Sequence, residues 1–449
     1  MKLDEVKIFK VQIFIAKISR ILKGLTHVFY LKLSDLFKFF LELLAKIASG
    51  LIPVGKWRRA FRVWAILRME YFFEAKAHQE FKNKVMNNGQ AKFSALIVNQ
   101  DLTVTGAPLV LLMTARVLLE NGAGVGVAAA KGGGLAGELD KLGVPSLVSQ
   151  GFRNNASFIR RLAEGFDLIV VNSMPSGAWV DLLPESSPLI WYVHEGLFIA
   201  RDIQANPQLG RALFKCRHIY MDSDYARSFL PEGVKAEVLP LAVPDVKDLI
   251  HSTQPQRGLR LRIAMVATFM ELKGQDLILE ALGLLTAEQR QKLDFYMIGR
   301  HKGEFFQQIR ERCPLDWPVT FINELPDQEK KWEFFESMDV FCVPSRYESC
   351  SLVVLEAAML GKPFIISDHV GAKYMLQEWV NGLIFASGEA EGLHRCLEWC
   401  LDNRTKLTDM GVQARRAYEE KASWLQFEKN LMTAVGCVMK QSSPVVKCK

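Results

Sequence analysis

The chain has no run of about 18 residues that is both strongly apolar and uncharged, the length a membrane-spanning helix needs. Its best stretch, Phe39 to Val54, is too short and carries Glu42 and Lys46. The start has charges but no clean apolar core followed by a small-residue cleavage site, so no cleaved leader is expected. Cysteine is sparse, 8 in 449 residues. Cys396 and Cys400 stand four apart, but no nearby Cys/His pair completes a zinc site, and the pattern reads as buried reduced thiols of a cytoplasmic protein. Thr105-Gly106-Ala107-Pro108, after the first apolar run, is not a G-x-G-x-x-G fingerprint, which leaves dinucleotide binding without support, and no internal repeat is visible. Net positive charge is missing from most of the chain. Of the formal +7, residues 1–85 hold 17 Lys/Arg against 7 Asp/Glu, leaving 39 against 42 for everything after them. A nucleic-acid partner is not expected.

What is present falls into parts. A length of 449 residues predicts two or three domains. Residues 1–90 read as a basic amphipathic helical extension. Val11, Phe14, Ile15, Ile18, Leu22 and Leu25 recur at helical spacing, while Lys10, Lys17 and Arg20 fall off that stripe. The segment from Leu51 to Arg62 mixes aromatic and basic residues. Such helices can lie on an anionic bilayer or pack on the main body or another subunit, since periodicity does not name the partner. The first reading places the protein on the inner face of the membrane.

From Ser94 onward short apolar strands alternate with helices. Strands are expected at Ser94–Gln100, Val125–Ala130, Asp167–Ser173, Pro188–Glu195, His218–Ser223 and Glu237–Val243. After a polar break between Pro244 and Leu261 they resume at Arg262–Thr268, Asp294–Gly299, Val319–Asn323, Asp339–Ser345, Pro363–Asp368 and Gly382–Ala386. Continuous apolar strands separated by helices mark a parallel sheet buried on both faces. The fold class is therefore α/β, with two Rossmann-like doubly wound domains at 91–245 and 260–420 and a closing segment at 421–449. Ligands in such sheets bind beyond the carboxyl ends of the strands, so two facing units make a cleft.

The richest chemistry lies between Arg346 and Pro363. A helix starting near Ser351 and ending at Gly361 would point free backbone N–H groups into the cleft, where a phosphate or sugar oxygen accepts them. Glu348 precedes that helix and Glu356 lies on it, with Leu352, Val353, Met359 and Leu360 as its helical neighbours. A carboxylate on an apolar stripe needs a partner: a bound ribose, a neighbouring Lys or Arg, or solvent if the side chain turns outward. Lys273 stands between a strand and a helix starting near Gln275, where a fixed cation can offset charge on a departing diphosphate or simply be solvated. Gly106, after the first strand, permits close backbone approach. Gly132, Gly133 and Gly134 form a flexible loop or a turn. His194 ends a strand, facing a ligand or packed there. Asp222-Ser223-Asp224 has the look of a D-x-D metal motif, but Asp222 or Ser223 also makes a good helix cap, and no metal is expected.

Glu348 and Glu356, with seven residues between them, resemble the E-x7-E signature of the retaining GT-B family called glycosyl transferases group 1. The flanking Pro344-Ser345, the run from Glu356 to Ile366, Val370-Gly371-Ala372 and Asn381-Gly382-Leu383 follow the same pattern, which is dense from about 262 to 386. The resemblance implies that Glu356 holds the donor ribose and Glu348 contacts the transferred sugar. It implies that Ser349, Cys350, Ser351 and Leu352 lie near the sugar or diphosphate, and that His194 lies near the reacting face. The family's Arg–Lys pair is broken: Lys273 is present, but the Arg position is Thr268, so a single cation serves or Arg300 or Arg346 substitutes. Cys350 fills space rather than acting as a nucleophile. Ser423-Trp424 and the helix after it should cross back onto the first domain.

The implied activity is transfer of a sugar, with retention and without metal or other cofactor, from a nucleotide-sugar to a saccharide or lipid-linked acceptor in cell-surface polysaccharide synthesis. A GT-B sugar-nucleotide epimerase and a non-catalytic membrane-associated scaffold are the alternatives.

Overall fold

The computed structural model describes residues 77–86, 91–104, 106–149, 152, 156–250, 258–323, 325 and 328–442. The chain divides by packing into Met1–Asn83 and Lys84–Lys449, and both sheets belong to the second unit. Most of the N-terminal extension, including the stripe from Val11 to Leu25 and the basic-aromatic segment, lies outside the described residues. Among the described residues no helix is long and apolar enough to cross a membrane.

Seven strands form the first sheet: β1 (Phe93–Asp101), β2 (Ala123–Lys131), β3 (Ser146–Val148), β4 (Leu168–Asn172), β5 (Leu189–Val193), β6 (Ile219–Met221) and β7 (Glu237–Val238). Their order is β3-β2-β1-β4-β5-β6-β7. The second sheet holds β8 (Leu261–Val266), β9 (Leu293–Ile298), β10 (Val319–Ile322), β11 (Val340–Val343), β12 (Phe364–Ser367) and β13 (Gly382–Phe385), in the order β10-β9-β8-β11-β12-β13. Neighbouring strands in both sheets run parallel. The strand order reverses between β1 and β4 and again between β8 and β11, so each half has a switch-point crevice at its strand ends.

The residues explain the architecture. β4, β5 and β11 are buried along their whole length, as central strands covered on both faces must be. β3 is absent from the sequence-based expectation. It is three residues long and half exposed, too short and polar for an apolar run to announce it.

The link from the first domain is fastened to the second. Tyr418 donates its hydroxyl to the Val243 carbonyl at 2.9 Å. Arg415, on the helix Lys406–Lys421, forks onto both Asp245 carboxylate oxygens and donates to the Met359 carbonyl. The hydrogen bonds and charge of Arg415 hold the Asp245 carboxyl below its ordinary value. A carboxyl depressed by folding adds stability above its unfolded pKa of about 3.9 and loses it as pH falls toward the lower folded value. Asp245→Asn should therefore lower the melting temperature at neutral pH. The gap to wild type should close below about pH 4 in a thermal-melt series. A gap independent of pH would exclude the ion pair as its cause.

Trp424–Ser442 is the returning helix. Trp424 donates its indole N–H to Glu120 at 3.1 Å, Arg116 lies over the Trp424 ring, and Asn121 donates to Glu428 at 2.8 Å. The C-terminal helix thus packs on the first domain, alongside Gly106–Glu120.

Candidate active site

In the second domain the loops after β8 and β11 meet across the switch point. After β8 the chain makes a short turn, Glu271–Lys273, and Gly274 takes φ 77° to start the helix Gln275–Leu284. A Cβ at Gly274 would overlap the Pro344 carbonyl, so only glycine allows this turn to sit against the end of β11. That contact sets Lys273 beside Glu348: its Nζ lies 3.1 Å from Oε1, with both side chains about one-fifth exposed. The other Glu348 oxygen accepts from Ser345 Oγ at 2.8 Å, and the Ser345 carbonyl accepts from Ser367 Oγ at 2.5 Å. Glu348 also joins the backbone after β12, donating to the His369 carbonyl at 3.1 Å and accepting from Gly371 N–H at 2.8 Å. Its position is fixed from three sides.

The next helix is Leu352–Met359, with Ser351 as its N-cap residue. Ser351 is buried, makes no side-chain cap and leaves Oγ without a partner among the described residues. The helix ends in a Schellman motif at Gly361: Lys362 N–H bonds the Ala357 carbonyl and Gly361 N–H the Ala358 carbonyl, with Gly361 at φ 71°. On its outer side Glu356 Oε1 accepts from Lys331 Nζ at 2.6 Å. A protein cation thus satisfies one oxygen of this half-buried carboxylate. Among the described residues Oε2 has no protein hydrogen bond and can accept from a ligand hydroxyl. Lys331, on Gln328–Glu336, went unnoticed in the sequence, because nothing local says that two helices bring it to Glu356.

Cys350 is buried next to Tyr374, and burial holds its thiol well above the ordinary range, assisted by the nearby Asp222 carboxyl. It stays protonated, as a packing residue does. Thr268 is exposed, and its carbonyl accepts from Gln275 Nε2 at 3.0 Å. Arg346 does not stand in for the missing cation: its guanidinium grips Asp276 with two bonds of 2.8 and 2.7 Å and donates to the Glu271 carbonyl. Burial would raise Asp276, but the bonds and charge of Arg346 outweigh it and the carboxyl is held low. Arg300 follows β9, where a Cβ on the preceding Gly299 would overlap the Ala267 carbonyl.

In the first domain the polar residues at the strand ends form a buried row. Asn99 on β1 donates to the Asp101 carbonyl at 2.7 Å, and its Oδ1 accepts from Asn172 at the end of β4 at 3.1 Å. Asn172 Nδ2 also donates to the Ala107 carbonyl at 2.9 Å, and its Oδ1 faces His194 Nε2 at 3.0 Å. The other His194 ring nitrogen lies 3.7 Å from Asp222 Oδ2, and the imidazole packs on Tyr192. Both ring nitrogens therefore face protein in this arrangement. Next to the row, Ser173 takes φ 71°, rare for a residue with a side chain. Met174 N–H donates to the Glu195 carboxylate at 2.7 Å. Burial pushes that carboxyl up.

Gly106 opens its helix, and a Cβ there would meet nothing within 4 Å, so packing does not require the glycine. Gly133, by contrast, lies on the Leu102 backbone and makes a packed turn. Asp222-Ser223-Asp224 does not converge on one point. Asp222 faces His194, Asp224 pairs with Arg227 at 2.6 Å, and Ser223 caps Asp224–Arg227 by accepting from Ala226 N–H at 3.0 Å. The same Ser223 hydroxyl donates to the Ser349 carbonyl, joining the two domains beside Glu348. Around this contact Phe198, Tyr225 and Phe229 of the first domain enclose Tyr347, with ring centroids 5.5–5.9 Å away.

Residues 247–417 match the family model described as glycosyl transferases group 1, and residues 92–228 match that of glycosyl-transferase family 4. The matched part of the second domain is a group 1 glycosyltransferase domain. Among curated relatives, the D-inositol 3-phosphate glycosyltransferase of Corynebacterium aurimucosum is 24% identical over 193 residues, 41% of this chain and 45% of that protein. The putative glycosyltransferase EpsF of Bacillus subtilis is 30% identical over 148 residues, 32% of this chain and 36% of that protein. The chain thus spans less than half the length of these curated relatives. Among solved structures, Anabaena HepE in complex with UDP and glucose superimposes with a TM-score of 0.64 at 16% identity, covering 77% of this chain and all of that one. WaaG, a glycosyltransferase involved in lipopolysaccharide biosynthesis, gives 0.57 at 15% identity, covering 77% and 99%. These likenesses establish the GT-B fold.

Proposed function

We propose that this protein transfers a sugar from a nucleoside-diphosphate sugar to a hydroxyl of a saccharide or lipid-linked acceptor in surface-polysaccharide synthesis, with retention of configuration. One observation carries the reading. Lys273 and Glu348 meet at 3.1 Å over the β8/β11 switch point, and Glu356 follows on the helix that starts beside them. The group 1 match over residues 247–417 and polysaccharide-related relatives such as the amylovoran biosynthesis glycosyltransferase of Erwinia amylovora support it. So does the UDP in the HepE complex.

In this reading the diphosphate lies against the first N–H groups of Leu352–Met359 and beside Lys273 Nζ, where a helix N-terminus and a fixed ammonium offset the growing negative charge. Glu356 Oε2 accepts from a ribose hydroxyl, while Lys331 holds the carboxylate in place through Oε1. Glu348 orients the transferred sugar. An acceptor hydroxyl attacks from the face the diphosphate leaves, and the leaving phosphate takes its proton.

Thermal shift with UDP-, GDP- and dTDP-sugars, followed by release of nucleoside diphosphate, tests this directly. Glu356→Ala should weaken donor binding by about tenfold or more, the worth of a hydrogen bond to a charged group, with a smaller effect on kcat. No stabilisation by any nucleotide-sugar, or unaltered donor affinity in Glu356→Ala, refutes the assignment.

A further inference from the structure

The buried row in the first domain has a fixed hydrogen-bond direction. Backbone carbonyls only accept, so the Asp101 and Ala107 carbonyls fix the Nδ2 ends of Asn99 and Asn172 as donors. Asn172 Oδ1 is then an acceptor, and His194 Nε2 must carry the hydrogen it offers at 3.0 Å. That leaves Nδ1, the ring position facing Asp222. His194 and Asp222 are both buried, and Nδ1 and Asp222 Oδ1 have no partner within hydrogen-bonding distance among the described residues. Without a proton between them, an imidazole lone pair would face a carboxylate inside the protein, a costly arrangement. One proton resolves it, whether it sits on nitrogen or on oxygen.

The neighbours favour that proton. Glu195, Tyr192, Tyr374, Cys350 and Tyr347 are the titratable groups around the pair, and none of them is a cation. Burial pushes the Asp222 carboxyl up, against the lowering effects of His194 and the Ser349 hydroxyl. The pair also sits where the domains join. The next residue, Ser223, donates to the Ser349 carbonyl, and Gly371 fits against both. Loss of the proton at high pH would place a bare carboxylate against the His194 lone pair directly behind the loop that carries Glu348.

We infer that Asp222 is a positioning residue: one proton held on the Asp222–His194 pair, whose Oδ2 and Nδ1 stand 3.7 Å apart, keeps the first domain in register with the Glu348 loop during transfer. This rests on the proposed glycosyl transfer, and its test has one arm that does not depend on turnover. In the full chain labelled with [15N]histidine, His194 should show a protonated Nε2 and an Nδ1 signal that responds to the Asp222 carboxyl. His194→Gln assigns the signals, and Asp222→Asn should move Nδ1. Asp222→Asn keeps the shape of the side chain but cannot release a proton. It should fold with an unchanged melting profile, bind donor normally, lower kcat by about tenfold or more and remove the alkaline limb of the kcat profile.

A bare Nδ1 that ignores Asp222→Asn overturns the inference. So does an Asp222→Asn enzyme with wild-type kcat and an unchanged pH profile. Wild-type protein that turns over no nucleotide-sugar would instead overturn the glycosyl-transfer reading, leaving the nitrogen signature to be judged alone.

Discussion

Lys273→Ala is expected to lower kcat by about 10²- to 10³-fold, the usual cost of removing one preorganised charge-stabilising group, while donor affinity changes far less. The ammonium is placed at this junction by both its strand and its turn. The Arg position that accompanies it in the family is Thr268, exposed and with its carbonyl already engaged by Gln275. Arg346, the nearest replacement by sequence, is committed to Asp276 and the Glu271 carbonyl. Charge developing on a leaving diphosphate is larger in the transition state than in the bound donor, so loss of Lys273 falls on the chemical step. Lys273→Arg should recover part of the rate. Single-turnover kinetics with saturating donor measure it, and equal rates for wild type and Lys273→Ala would remove Lys273 from the mechanism.

Gly371→Ala should reduce turnover by about a hundredfold, the scale expected when reacting groups are displaced by an ångström. The mechanism differs from that of Lys273→Ala. A methyl group at Gly371 would overlap the Ser349 carbonyl and the Ser223 hydroxyl at once. Ser349 cannot retreat easily, because Gly371 N–H bonds the Glu348 carbonyl and Glu348 N–H bonds His369. Relief of the Ser349 overlap must therefore come from a forced shift of the Glu348–Ser349 loop, which together with the overlap on Ser223 breaks the Ser223–Ser349 bond and loosens the aromatic packing on Tyr347. Small-angle scattering should report a larger radius for the variant, and the melting curve should keep its cooperative transition for the second domain. An unchanged radius together with unchanged kcat would show that the contact at Ser349 has no part in closure.

Much of the fold was readable because its causes are local. Buried parallel strands are continuous apolar runs, and β1, β2, β4 to β6 and β8 to β13 appear close to where those runs lie. The strand–loop–helix elements around Lys273 and Glu348 were readable for the same reason. Turn chemistry at Gly274 and Gly361, a capping position at Ser351 and a Pro-Ser strand end are short-range signals. β3 was missed because three half-exposed residues leave no period to detect.

The sequence by itself determined two doubly wound sheets and the pair of loops that carry Lys273 and Glu348, since both follow from apolar patterning and turn residues within a few positions. Only the tertiary structure decided the partners. Lys331 reaches Glu356 from 25 residues away, Asn172 and Asp222 enclose His194 from neighbouring strands, and Ser223 finds Ser349 across 126 residues. A polar side chain in the sequence shows that it will need a partner once buried. Which partner it finds is set by the sheet order and by how the domains meet, and neither is encoded near the residue itself.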